Sequence, residues 1–191
     1  MVYPRSLLCD NALMRRRTTS NSEPDEMRVA SPERIRSRTF QRAAKLLAAK
    51  PRSIAELRER LLERQGVTEN LVEEVIARLK EYGYLDDERY ALSYASLKVK
   101  QRPIGRRRLQ QDLKMKQVPG AVADQALDSV YAETPEEELI DRAIEKRVRL
   151  RGQPKTRLEA KSLFDHLLRQ GFAFELVSEK VRSILKTEID E

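Results

Sequence analysis

Residues 81–95 read EYGYLDDERYALSYA, with two adjacent carboxylates, Asp86 and Asp87, set among tyrosines. Paired carboxylates can hold a metal ion or move protons, but either task needs further ligands or a base placed beside them. The chain holds one histidine, His166, and one cysteine, Cys9, and both are far from this stretch in sequence. No third placed carboxylate, phosphate-binding glycine loop, nucleophile elbow or metal-ligand spacing accompanies the pair. The reading is therefore no catalytic residue, no metal and no cofactor. The same residues make good sense as a helix start. Gly83 ends one helix as a left-handed C-cap, and Tyr84 and Leu85 cover its apolar end. Asp86 caps the next helix, while Asp87 and Glu88 favour its positive N-terminus. Gly83, Tyr84, Leu85, Asp86 and Asp87 are thus expected to form a structural joint.

The chemistry that remains is electrostatic. The net charge is +7, with a pI near 9.6, a balance that suits nucleic acid or an acidic protein surface. Residues 98–116, KVKQRPIGRRRLQQDLKMK, hold eight Lys/Arg and one acid. Arg102, Arg106, Arg107, Arg108, Lys114 and Lys116 are the candidate contacts there. On a helix begun near Ile104, Leu109 and Leu113 point inward, and Arg107, Gln110, Gln111 and Lys114 share another face. Arg and Gln on one exposed face can bind phosphates, base edges or carboxylates. A second basic stretch, 142–161, adds Arg147, Arg149 and Arg151, directly after the acidic block EEELID. Acids before cations along one helix also suit the helix dipole, so this pattern serves contact or helix electrostatics equally. Tyr82, Tyr84, Tyr90 and Tyr94 cluster at the joint and are read as packing, His166 as a helix-face residue and Cys9 as incidental.

These side chains need elements to hold them. Residues 1–38 mix charge with Ser, Thr and Pro without apolar period and are expected to be a disordered tail. From Phe40 onward all six glycines and five of the eight prolines fall at intervals that leave long breaker-free stretches. Nine helices are expected, near 40–50, 53–65, 68–82, 87–101, 104–117, 120–132, 135–151, 155–170 and 173–187. Pro51, Pro103 and Pro154 recur at spacings of 52 and 51 residues, and Leu57 and Leu61 map onto Leu109 and Leu113. Gly66, Val72, Ile76 and Leu79 map onto Gly171, Val177, Val181 and Ile184 at a shift of 105 residues. Such self-similarity marks repeated supersecondary units. Ser53 with Glu56, Thr134 with Glu137 and Thr156 with Glu159 each fit a capping box. The expected fold is all-α, an elongated tandem array of three three-helix repeats at 39–85, 86–133 and 134–191. No apolar run approaches the ~18 residues of a membrane span. The early stretch SLLCDNALM is interrupted by Asp10 and Asn11 and is rejected as a signal peptide, which points to the cytoplasm.

On these residues the chain resembles the RecX family of bacterial recombination regulators. GYLDDERYA at 83–91 is similar to that family's Gly-Tyr/Phe-Leu-Asp-Asp signature. RPIGRRRLQQDLKMKQV resembles its Gly-x-x-x-Leu-x-x-x-Leu helix, and RQGF at 169–172 its Arg-Arg-Gly-Phe turn. One departure is Gln117, where the family usually has Gly. The resemblance covers about residues 40–187 and implies a non-enzymatic protein that binds RecA filaments on single-stranded DNA. Such proteins restrain ATP hydrolysis, strand exchange and RecA-stimulated repressor self-cleavage. A monomer is the simplest state for an array that lines a filament groove, and the basic faces could also meet DNA directly. The alternative is a general basic helical nucleic-acid-binding protein.

Overall fold

The computed structural model describes residues 31–187, and the compact unit treated below begins at Pro32. Cys9 and the expected tail up to residue 30 lie outside the described residues. Among the described residues there are nine α-helices and no strand. They are α1 Pro32–Ala49, α2 Ile54–Leu62, α3 Glu69–Glu81, α4 Asp87–Gln101, α5 Arg106–Met115, α6 Gly120–Glu133, α7 Glu136–Arg151, α8 Arg157–Arg169 and α9 Phe174–Thr187. No helix among the described residues is long and apolar enough to cross a membrane.

α1 starts at Pro32, not near residue 40, so the last residues assigned to the tail are helical. Pro is well placed in a first turn, and Glu33 complements the dipole there. The buried stripe runs through Thr39 and Ala43, and the Thr39 hydroxyl donates to the Ile35 carbonyl at 2.8 Å. Residues 32–38, PERIRSR, hold a single aliphatic side chain, Ile35, so this extension carries no apolar period and reads as tail. Two of the three expected capping boxes also differ. Thr156 and Glu159 make the full reciprocal box of α8. Ser53 accepts from the Glu56 backbone, but the Glu56 carboxylate pairs with Lys116 at 3.0 Å. Thr134 is consumed in closing α6, and Pro135 is the N-cap of α7 without a side-chain bond.

The turn after the second helix of each trio holds one residue of positive φ, and in the second and third trios it closes alike. Gly66, Gln117 and Gly171 all take positive φ, at 80°, 56° and 90°. At Gln117 the N–H donates to the Lys114 carbonyl at 2.9 Å and Val118 N–H to the Leu113 carbonyl at 3.2 Å. At Gly171 the same two bonds run to Leu168 and Leu167. This is the Schellman closure, and it keeps its geometry even where a side chain must enter the left-handed region. Gly83 (φ 68°) closes α3 the same way, with Tyr84 N–H donating to the Leu79 carbonyl at 2.9 Å.

Two apolar cores hold the helices. The first gathers Ala43, Leu57, Leu61, Val72, Val75, Ile76, Leu79 and Leu85 from α1, α2, α3 and the joint. The second is continuous from Tyr90 in α4 to Val181 in α9 and includes Leu109, Leu113, Leu127, Leu139, Leu163, Leu167 and Phe172. Each fully buried leucine contributes about 1.5–3 kcal/mol through removal of apolar surface from water. The leucines matched across the repeat, Leu57, Leu61, Leu109 and Leu113, are all fully buried.

Candidate functional site

The acid pair at residues 86 and 87 serves two helices. Asp86 caps α4, its Oδ1 accepting from the backbone N–H groups of Glu88 (2.8 Å) and Arg89 (3.1 Å). Asp87 turns away from its own helix axis, and its Oδ1 accepts from the backbone N–H of Ile54, the first residue of α2, at 2.9 Å. Burial pushes the Asp87 carboxyl above the usual range, opposed by that Ile54 bond and by Lys80. The same device returns at the second joint. Glu136, first residue of α7, accepts from the backbone N–H of Arg106, first residue of α5, at 3.0 Å. Burial raises the Glu136 carboxyl too, against the Arg106 bond and the Arg106 and Arg107 guanidiniums. An acid at the start of one trio thus caps the second helix of the trio before it.

That cap matters because α5 opens on three arginines and has no acid in its first turn. Cations at the positive end of a helix are unfavourable by several tenths of a kcal/mol each, roughly 0.3–1. The structure answers part of this charge. Arg106 pairs with Asp128 of α6 at 2.7 Å, Arg108 lies 3.4 Å from Asp112, and Gln110 donates to Asp124 at 2.9 Å. The Arg107 and Lys114 side chains stay exposed and form no salt bridge among the described residues, although the Arg107 charge is felt at Glu136. Arg102 is the exposed C-cap of α4, whereas Lys116, half-buried, is held by Glu56.

The second candidate group sits apart from the first. Glu136 docks on the start of α5, and Arg147, Arg149 and Arg151 lie in the last turns of the same α7. With about 1.5 Å rise per residue, Arg147 stands about 17 Å along the axis from that contact. Arg147 donates to the Ser162 hydroxyl at 3.2 Å, and Arg149 and Arg151 are exposed. His166 faces this group. Burial first, then the charges of Arg147, Arg169 and Arg151, push its imidazole below the usual value. A neutral His166 therefore sits against three guanidiniums at pH 7. Arg169 was missed as a member of this cluster, although its spacing of three from His166 on α8 carried the signal. The residues named from sequence form two basic clusters, one around α5 and one at the C-terminal end of α7. What both can do is present guanidinium and ammonium donors to phosphates or carboxylates.

Comparison with known proteins gives one consistent result. Residues 40–79 match the model of the first three-helix domain of RecX, and residues 86–127 that of its second three-helix domain. The regulatory protein RecX of Chlorobium limicola is 32% identical over 147 residues, covering 76% of this chain and 88% of that protein. The regulatory protein RecX of Treponema pallidum (strain Nichols) is 40% identical over 110 residues, 58% of this chain. The chain spans 66% of the length of that relative. The crystal structure of RecX from Lactobacillus salivarius superposes with a TM-score of 0.69 at 20% identity, covering 80% of this chain and 97% of that one. At that identity the likeness is one of fold.

Proposed function

The chain belongs to the RecX family of regulatory proteins, and from that premise we propose that it binds RecA filaments on single-stranded DNA and restrains them. The restraint falls on RecA's ATP hydrolysis, on strand exchange and on the repressor self-cleavage that the filament stimulates. The protein acts as a non-catalytic monomer in the cytoplasm, and its three three-helix repeats meet successive surfaces of the filament. One observation supports this reading beyond family membership. Arg107 and Lys114 are exposed and form no salt bridge among the described residues, on a helix whose Arg106 and Arg108 pair with Asp128 and Asp112. That arrangement suits an acidic surface or a phosphate supplied from outside.

The test is DNA-dependent ATP hydrolysis by RecA on long single-stranded DNA, with the protein titrated onto preformed filaments. Loss of hydrolysis at substoichiometric protein, not relieved by added bare DNA, is the expected outcome. The pair Arg107→Glu and Lys114→Glu weakens inhibition, with the helical circular dichroism unchanged. Full hydrolysis at excess folded protein would refute the proposal. A second reading, general nucleic-acid binding, draws on the net charge of +7. It requires tight binding to bare single strands, falling with salt at a log–log slope of about −0.7 per phosphate contact.

A further inference from the structure

A groove of about 690 Å³ opens at the first joint, where the end of α1 and the loop after it face α4. Its wall is apolar. Leu47 stands on one side, with Tyr90, Tyr94 and the half-exposed Leu97 on the other. Its rim is cationic. Lys50, Arg52 and Lys98 line it, and none of them meets a carboxylate among the described residues. The Arg52 Nε is buried and has no hydrogen-bond partner among the described residues. Lys116, at one end, is already matched by Glu56. The one carboxylate in the lining, Asp86, is occupied with the N-terminus of α4.

We propose that this groove docks an acidic peptide segment of a partner protein. Its carboxylates meet Lys50, Arg52 and Lys98, and an aliphatic side chain lies between Leu47 and Leu97. Charge complementarity selects the acid, because Lys50, Arg52 and Lys98 line the groove without a carboxylate partner among the described residues, and the one lining carboxylate, Asp86, caps α4 through its Oδ1. The two tyrosines of α4 that wall the groove, Tyr90 and Tyr94, disfavour a nucleic-acid strand. Bases bind such surfaces by stacking on open ring faces. Tyr90 is only 8% exposed and stacks on Tyr94 at 6.1 Å, and Lys98 Nζ covers the Tyr94 ring at 5.3 Å. Residues 90, 94 and 98 are spaced by four along α4, so Tyr94 is flanked by a neighbour on each side along the helix. An aliphatic chain with flanking carboxylates fits between Leu47 and Leu97, where both α4 rings are covered; the exposed ring, Tyr84, stands at the rim in edge contact with Tyr82, and the oligothymidylate arm below tests stacking there. The inference stands apart from the filament reading, since the groove uses neither Arg107 nor the α7 cluster.

The experiment is fluorescence anisotropy with the full chain and three labelled probes. These are an Asp/Glu-rich peptide carrying two leucines, the same peptide with serines for leucines, and oligothymidylate. The leucine peptide is expected to bind saturably, about tenfold tighter than the serine peptide. Lys50→Glu with Lys98→Glu weakens it at least about tenfold. Leu97→Asp, a change at an exposed position, removes the preference for leucine while the circular dichroism holds. Arg107→Glu with Lys114→Glu changes the affinity by less than about twofold. The proposal is overturned by absence of saturable binding of the leucine peptide, by no loss in the Lys50/Lys98 variant, or by oligothymidylate binding equally tightly and losing affinity in the same variants.

Discussion

The two joints of this molecule use the same cap and differ in everything around it. At each, an acid at the start of one helix trio accepts from the first N–H of the second helix of the trio before, Asp87 to Ile54 and Glu136 to Arg106. At the first joint the remaining ties are polar side chains. The Ser53 hydroxyl donates to the Lys116 carbonyl at 2.5 Å, Lys116 pairs with Glu56, and Gln117 donates to Glu59 at 2.6 Å. The apolar cores on either side stay separate, and a groove remains between them. At the second joint backbone meets backbone. Gly105 N–H donates to the Gln170 carbonyl at 2.9 Å and Arg107 N–H to the Gly171 carbonyl at 3.1 Å. A Cβ on Gly105 would lie 2.2 Å from the Gly171 carbonyl carbon, and one on Gly171 would lie 2.4 Å from Arg108 Cβ. There the core runs through without a break. A repeated sequence pattern thus reproduces a hydrogen bond faithfully, while the residue sizes around it decide between a polar seam and a fused interior.

Changes at the glycine contact give the largest effect. Gly105 has ordinary φ, at −81°, so Gly105→Ala isolates the steric clash at the second joint. It is expected to destabilise by about 3–5 kcal/mol in urea unfolding, because the atoms it meets, in Gly171 and Phe172, are backbone atoms that cannot swing away. Gly83→Ala, with open space around the Cβ but φ of 68°, is the matched control and costs about 1 kcal/mol. Equal losses for the two would end the distinction between the joints.

Next comes the shared cap. Asp87→Ala leaves the Ile54 N–H without its partner and is expected to cost about 1–2 kcal/mol. Asp87→Asn keeps an acceptor and separates charge from hydrogen bonding. Its sign with pH follows from the raised Asp87 value. The native state holds the proton more tightly than the unfolded chain, so the carboxylate's burial penalty is full above the folded pKa and absent below the unfolded one. Stability contributed by this group therefore falls as pH rises from the unfolded value of 3.8 through the raised folded value. The Asn variant loses that slope, and urea midpoints measured across this window, wild type against variant, check it.

The smallest expected change sharpens the comparison of turns. Gln117→Gly relieves a left-handed side-chain residue, worth about 1 kcal/mol. It forfeits the exposed bond to Glu59, worth about 0.5 kcal/mol. A net gain of about 0.5 kcal/mol is expected in thermal unfolding, and a loss would show that the Gln117–Glu59 bond matters to the seam.

Much of this was legible in the sequence for physical reasons. Breakers at regular intervals and leucines at helical spacing placed the helices, because these signals are local. Asp86 was legible as a cap for the same reason. Its neighbour's bond to Ile54 was not, since 33 residues separate them and nothing local marks the contact. Gln117 reads as a defect in a glycine position, yet the turn keeps its closure there, with the Gln117 and Val118 N–H groups still reaching the Lys114 and Leu113 carbonyls. Among the charges, composition located the basic stretches but not their matching. Whether Arg106 or Arg107 is free depends on Asp128 of α6, a tertiary fact.

The fused second joint also bears on how the chain emerges from the ribosome. The first core closes with residues up to Leu85, all of which precede α4 in order of synthesis. The start of α5 needs the Gln170 carbonyl, which is made much later. At about 5–20 residues per second, α5 waits on the order of several seconds with its glycine and its arginines uncovered. The N-terminal trio can therefore close its apolar core first, take its cap from Asp87 and its ties from Lys116 and Gln117 next, and stand complete while the middle of the chain still lacks the Gln170 carbonyl.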